Sequence, residues 1–330
     1  MKHQPRPPSL EEVTAALERV RLGTRTYIPD LELNDLLDCA FAEYGYCSVS
    51  CSPSTIIYRA RSFDQDHLPD NVLDLWGPQA SITRLQRLNK PQQVVVYACD
   101  DPVAALFELK PEPGSFVGIM TSILQSSNSM FRLIPLGLQR YVHASFLPGG
   151  GDPLRFLRFY QEAHARNCVE LVSICGRFLQ DVVADDPPLG QSHNLYRVTS
   201  SIADKLRNPE CHGFIYPSVA TGQSHLNFCF EAEWADQNFV PLEICWFRVG
   251  EQFGLPEPVN GRREHISGEI TALGYCHDPS GGIEWKRVHY NHFTIRDARS
   301  RTESGFHKLE ELSTFDQIRL ATGRSLNDLS

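Results

Sequence analysis

The sequence predicts an α+β fold, on three observations. Helical periodicity fills the first fifty residues: Leu10, Val13, Leu17 and Val20 make one apolar stripe, and Leu33, Leu36, Leu37, Ala40, Phe41 and Tyr44 make another. A continuous apolar run, Val94-Val95-Val96-Tyr97-Ala98, reads as a strand buried on both faces. The last hundred residues alternate as strands do, with Leu242, Ile244 and Trp246 interleaved with Glu243, Cys245 and Phe247.

The elements follow in order. Ser9 and Glu12 form a capping box that opens the first helix. The stripes of residues 10–44 suit either a partner-binding lid or, preferably, a helical layer packed on the main domain. Ile56-Ile57-Tyr58-Arg59-Ala60 reads as a strand. After the buried strand, Asp101 caps a short helix with Pro102 at its first position, running to Leu109. Phe116–Ile119 is a further short strand, and residues 120–150 read as irregular, ending in Gly149-Gly150-Gly151. Asp152-Pro153 opens a helix through Tyr160, and another helix spans about Val169 to Leu179. Thr199 reads as the cap of a helix carrying Ile202, Ala203 and Leu206. Gly213–Ser218 and Asn227–Phe230 read as strands. The turn Asp278–Gly282 joins two more, the second with Ile283 and Trp285 alternating with Glu284 and Lys286. The tail from Arg296 to Glu311 is polar, and a last short helix falls around Phe315–Leu320.

Composition narrows the function classes. A chain of 330 residues with 42% apolar and 22% charged residues suits one large soluble domain or two smaller ones. A net charge of −9 argues against broad electrostatic binding to nucleic acid or an anionic membrane. No apolar run approaches the roughly 20 residues a spanning helix needs. The start Met1-Lys2-His3-Gln4-Pro5-Arg6-Pro7-Pro8 has no apolar core after its charges, so a cytoplasmic protein is expected. Ten cysteines include no Cys-x-x-Cys pair. Cys99, Cys175, Cys229 and Cys245 stand in apolar stretches and read as small hydrophobes. Among twelve histidines, the nearest approach to a metal site is Cys276-His277 with His289 and His292 across a hairpin. Structural zinc shows tighter ligand pairs, so these read as polar strand residues and no metal is expected.

Several residues could carry chemistry. Glu108 is the sole charged side chain in the apolar helical stretch Val103–Leu109. A carboxylate there is paired, hydrogen-bonded or functional, or else it points out toward Lys110 or water. Arg59 and Arg87 lie beside strand-like sequence, and each offers a planar fork suited to a phosphate or to an ion pair; Arg61 and Arg84 are nearby rivals. Tyr97 can stack on a planar ring or fill the core. Ser218 follows Pro217 without a Gly-x-Ser-x-Gly elbow, which suits a positioned hydroxyl better than a nucleophile. There is neither a Walker A nor a Gly-x-Gly-x-x-Gly motif.

Taken together, Tyr58-Arg59, Arg87-Leu88-Asn89-Lys90-Pro91, the strand ending in Tyr97-Ala98, Ala104-Ala105-Leu106-Phe107-Glu108, and Gly213–Ser218 followed by Asn227 resemble the RES domain over about residues 55–230. The resemblance implies a split, mixed β-sheet core like that of ADP-ribosyltransferases, with NAD as substrate. It implies a catalytic domain at 53–232; the residue patterns on either side, which fall outside the resemblance, read as a helical segment at 1–52 and a strand-rich extension with a polar tail at 233–330. Arg59 and Arg87 would hold the pyrophosphate or ribose, with Tyr58, Asn89 and Asn227 also binding NAD. Tyr97 would pack on the nicotinamide end, Glu108 would stabilise positive charge on the ribose, and Ser218 would orient the ribose or nicotinamide. The expected reaction is hydrolysis or phosphorolysis of the nicotinamide–ribose bond, as in a toxin. Transfer of ADP-ribose to a protein, or an inactive binding role, are the alternatives. The expected partners are an antitoxin or immunity protein, or a second copy of the chain. The regions outside the compact domain either restrain the enzyme or extend its core.

Overall fold

The computed structural model describes residues 6–42, 44–45, 48–51, 55–64, 67–77, 83–125, 131–137, 169–185, 192–221, 225–250, 265–276 and 281–296. In chain order the helices are α1 (Leu10–Gly23), α2 (Asp30–Phe41), α3 (Leu73–Trp76), α4 (Pro102–Leu109), α5 (Val169–Val183), α6 (Ser192–Leu206) and α7 (Ala232–Asn238). The strands are β1 (Val49–Cys51), β2 (Ile56–Phe63), β3 (Val95–Cys99), β4 (Phe116–Leu124), β5 (Phe131–Pro135), β6 (Gly213–Pro217), β7 (Leu226–Glu231), β8 (Phe239–Val249), β9 (His265–Cys276) and β10 (Ile283–Arg296). The fold is α+β, as the sequence predicts. The chain divides into two compact units, one built from residues 1–57, 76–104 and 123–240, the other from 58–75, 105–122 and 241–330.

In the first unit the strands run in the order β1-β5-β6-β7-β3. The pairing is mixed: β5 and β6 are parallel, while β1 with β5, β6 with β7 and β7 with β3 are antiparallel. Helices α1, α2, α5 and α6 share one core with Val95, Ile134, Phe214 and Cys229 of the sheet. The capping box starts α1: Ser9 Oγ accepts from Glu12 N–H at 3.2 Å, and the Glu12 carboxylate accepts from Ser9 N–H at 2.6 Å. Val13, Leu17 and Val20 of α1 and Leu33, Leu37 and Phe41 of α2 are buried. The N-terminal helices are therefore a layer of this core, as preferred over a lid. Successive strand residues point to opposite faces, and Phe228 and Phe230, flanking Cys229, join Phe131, Trp234 and Phe239 in an aromatic cluster. Gly213 opens β6 at φ 153°, where a Cβ would lie 2.2 Å from the Cys229 carbonyl oxygen, so the close pairing of β6 and β7 needs glycine there.

In the second unit the order is β2-β4-β8-β9-β10. Trp246 is its centre, 4.8 Å from Phe63, 6.2 Å from Phe116 and 6.0 Å from Trp285 between ring centroids. The Trp285 indole N–H donates to the Pro69 carbonyl at 2.8 Å.

Four expectations are corrected or refined. Residues 120–150 are not irregular throughout, because β4 continues to Leu124 and β5 occupies Phe131–Pro135. Thr199 is not a cap. It sits inside α6, fully buried, its hydroxyl donating to the Leu195 carbonyl at 3.0 Å, which satisfies the hydroxyl without ending the helix. The alternation at 242–247 gives burial on both faces, since Ile244, Cys245, Trp246 and Phe247 are all buried. The hairpin of β9 and β10 forms, but its register sets Cys276 opposite Ile283 and His292 opposite Glu269, far apart along the ribbon. Among the described residues no group of three His, Cys, Asp or Glu side chains gathers as a metal site, and no helix is long and apolar enough to cross a membrane. The glycine run at 149–151, the helix expected over 152–160, His277, and the tail beyond 296 with its short helix lie outside the described residues.

Candidate functional site

Five of the eight predicted positions belong to the first unit, where they take part in internal hydrogen bonds. Tyr97 is the middle residue of β3, directly opposite Cys229 of β7. Its hydroxyl donates to Asn89 Oδ1 at 3.0 Å and accepts from Leu88 N–H at 2.9 Å. Burial pushes the phenol well above its ordinary value, so it serves as a neutral hydrogen-bonding group. Asn89 is fully buried, and its amide donates to the carbonyls of Arg84, Lys90 and Gln93. The Arg87-Leu88-Asn89 segment is thus clamped onto β3 through Tyr97. Arg87 itself donates to the carbonyls of Val183 and Asp185, at 2.6 and 3.1 Å, at the end of α5. Its guanidinium lies 5.5 Å from the Tyr196 ring centroid. A cation on the last carbonyls of a helix is well placed for the helix dipole.

The other two residues of this unit stand at the end of the sheet. Asn227 pairs with both Cys99 and Tyr216, and its Oδ1 accepts from the Cys99 thiol at 3.0 Å. Ser218, wholly buried, begins the turn that leaves β6. Its N–H donates to the His225 carbonyl at 2.8 Å, and its Oγ accepts from Thr221 N–H at 3.3 Å. The hydroxyl thus holds its own turn.

The same turn brings in two residues that the motifs do not include. Asp100 follows β3, and its N–H donates to the Leu226 carbonyl while its Oδ1 accepts from Leu226 N–H, both at 3.0 Å. That oxygen also lies 3.5 Å from Nδ1 of His225. Burial works against a charged His225 imidazole. The hydrogen bond to Asp100 and the charges of Asp101 and Asp100 outweigh it, so the pKa is raised above 6.5. Asp101 caps α4, its Oδ1 accepting from Ala104 N–H at 3.2 Å, as the Asp-Pro pair predicts. No periodicity marks Asp100 and His225 as neighbours; only the pairing of β3 with β7 joins them. An Asp beside a helix cap and a histidine two residues before Asn227 were the available hints.

Three positions belong to the second unit. Tyr58 and Arg59 lie on β2, both half-buried. Arg59 Nε donates to the Leu75 carbonyl at 3.0 Å, and its rival Arg61 donates to the Asp74 carbonyl, so both arginines hold the α3 backbone. Glu108 stands on α4 after the buried run Ala104-Ala105-Leu106-Phe107, and it is exposed. Lys110, at φ 49°, ends the helix in the left-handed region. The carboxylate is presented by an apolar helix instead of being enclosed in it.

No curated protein and no solved structure matches the chain. The family model for the RES domain matches residues 56–241, more than half of the chain, and all eight predicted positions fall inside that span. The chain therefore belongs to the RES-domain family, which is associated with NAD-related toxin activity.

Proposed function

We propose that the chain is an enzyme that cleaves the bond between nicotinamide and ribose in NAD. The observation that carries this reading is the family span over residues 56–241, with Arg59, Glu108 and Ser218 all filled by the expected residue types. In the reaction the C–N bond at ribose C1′ breaks and its electron pair goes to the nicotinamide ring nitrogen, which becomes neutral. An oxygen of water or phosphate bonds to C1′; with water, one proton is released. Positive charge grows on the sugar as the bond opens, as in glycoside hydrolysis. A fixed carboxylate favours that transition state over the ground state. Glu108, exposed after the buried run Ala104-Ala105-Leu106-Phe107, supplies it in this reading. Arg59 and Tyr58 hold the ribose and pyrophosphate; Arg87 and Asn89, tied to the end of α5 and to Tyr97, keep the loop of that site in place, and Tyr97, Ser218 and Asn227 shape the nicotinamide end from within. Nicotinamide is a good leaving group, so no metal is assigned.

An unrestrained enzyme of this kind drains the NAD of its own cytoplasm, so an antitoxin or immunity protein belongs to the reading as its partner. The test is incubation of the purified chain with NAD labelled in the adenine, followed by separation of products. Free ADP-ribose or its phosphate ester, with nicotinamide, is the expected result. Label on protein redirects the reading to protein ADP-ribosylation, and unchanged NAD overturns it.

A further inference from the structure

At the sheet end of the first unit, two of the predicted residues are hidden. Ser218 is fully buried and Asn227 is 4% exposed, and their side-chain oxygens accept from Thr221 N–H and the Cys99 thiol. Among the described residues beside them, His225, 28% exposed, and Asp100, 18% exposed, reach the surface. Their placement is built. Ser218 N–H holds the His225 carbonyl, Asp100 and Leu226 exchange two hydrogen bonds, and the same Asp100 oxygen faces Nδ1 of the imidazole. A carboxylate on one ring nitrogen fixes the ring's orientation, and in the imidazolium that it favours the other nitrogen is a donor as well.

We propose that His225, braced by Asp100, is a substrate-contacting residue that donates from Nε2 to the carboxamide oxygen of nicotinamide, and that Ser218 acts through the turn that holds it. This deepens the NAD-cleaving reading and rests on it. The ligand chemistry follows from what surrounds the ring. Among the described residues, two carboxylates, Asp100 and Asp101, are the titratable groups that face His225, from the junction of β3 and α4. With the imidazolium they carry a net charge of −1, which disfavours a phosphate and suits the cationic pyridinium of NAD. The neighbouring groups of the turn, Ser218 and Thr221, are neutral hydroxyls. A donor held on Asp100 also answers the one strong acceptor that nicotinamide has outside its ring. Once the glycosidic bond breaks, the same bond holds the departing product.

The proton that Asp100 and Asp101 keep on His225 sets the expected pH dependence. The imidazolium is present below its raised pKa and lost as pH rises through it, so kcat/KM falls on that alkaline limb. Asp100→Asn keeps an oxygen for Leu226 N–H but removes the charge, so the limb moves to lower pH.

The experiment measures NAD consumption, NAD binding and inhibition by added nicotinamide for the wild-type chain, His225→Ala, His225→Gln and Asp100→Asn, with thermal melting as the check on folding. The expected result is a loss of about 10- to 100-fold in kcat/KM for His225→Ala, the worth of a hydrogen bond from a charged donor. Weakened nicotinamide inhibition, partial rescue in His225→Gln and the shifted limb in Asp100→Asn are expected with it. If His225→Ala misfolds, the Asp100→Asn limb decides alone. A wild-type chain that consumes NAD, beside an Asp100→Asn limb that does not move or a folded His225→Ala with unchanged nicotinamide inhibition, overturns this inference and leaves the parent reading standing. A wild-type chain that neither binds nor consumes NAD overturns both.

Discussion

The loop at Arg87–Asn89 and the exposed side of α4 present their polar residues in opposite ways. Asn89 is fully buried, gives its amide to three carbonyls and takes the Tyr97 hydroxyl, while Arg87 holds the end of α5. Glu108 follows four buried apolar residues and comes out on the surface. Both stretches match the family pattern, and the sequence marks both as polar residues set among apolar ones. The difference teaches that such a residue can serve by holding the scaffold or by meeting a ligand, and that burial separates the two roles. Changes in the loop are expected to read out mainly in stability, changes at Glu108 mainly in turnover.

The largest effect is expected from removing the layer beneath the loop. Deletion of residues 1–48 takes away Val13, Leu17, Val20, Leu33, Leu37 and Phe41, each worth about 2 kcal/mol when buried. That sum, about 12 kcal/mol, is as large as the whole stability of many ordinary domains, about 5–15 kcal/mol. The shortened chain is expected to lack a cooperative melting transition, measured by circular dichroism. A folded, more active product would instead make the N-terminal helices a restraint on the enzyme.

Next comes Glu108→Gln, expected to lower NAD turnover by at least 100-fold, the worth of about 3 kcal/mol of transition-state stabilisation. Because the side chain is exposed, the melting temperature should stay within a degree or two of wild type. Near wild-type turnover in the folded variant, followed by chromatography of the products, would remove Glu108 from the chemistry.

Asn89→Ala is the converse. Stripping three carbonyls and the Tyr97 hydroxyl of their partner should cost about 2 kcal/mol in urea unfolding. Unchanged stability would show that Asn89 is kept for a ligand.

The smallest expected effect concerns pH. The folded pKa of His225 is raised, so the stabilisation from its pair with Asp100 is fully present below the unfolded value and fades as pH rises through the folded one. The gap in melting temperature between wild type and Asp100→Asn should therefore be wider at about pH 6 than at about pH 9. A gap that widens on the alkaline side would contradict the assigned direction.

What the sequence determined by itself is what neighbouring residues decide between them. The capping box of Ser9 and Glu12, the Asp101-Pro102 start of α4, the stripes of α1 and α2 and the buried strand ending near Tyr97 are each visible over a few residues, because helix caps and side-chain periodicity are local physics. The motifs were legible in the same way, and the family span encloses them. Thr199 gives the same local signal for a cap as for a bond to Leu195 within the helix, and burial in α6 chose the second. β5 leaves no local signal because its partners, β1 and β6, lie some eighty residues away on either side. Only the tertiary structure decided that Arg87 meets helix carbonyls, that Ser218 is hidden, and that Asp100 lies against His225. Each of these depends on strand register across more than a hundred residues, or on which surface another element covers, and neither is written in the order of adjacent side chains.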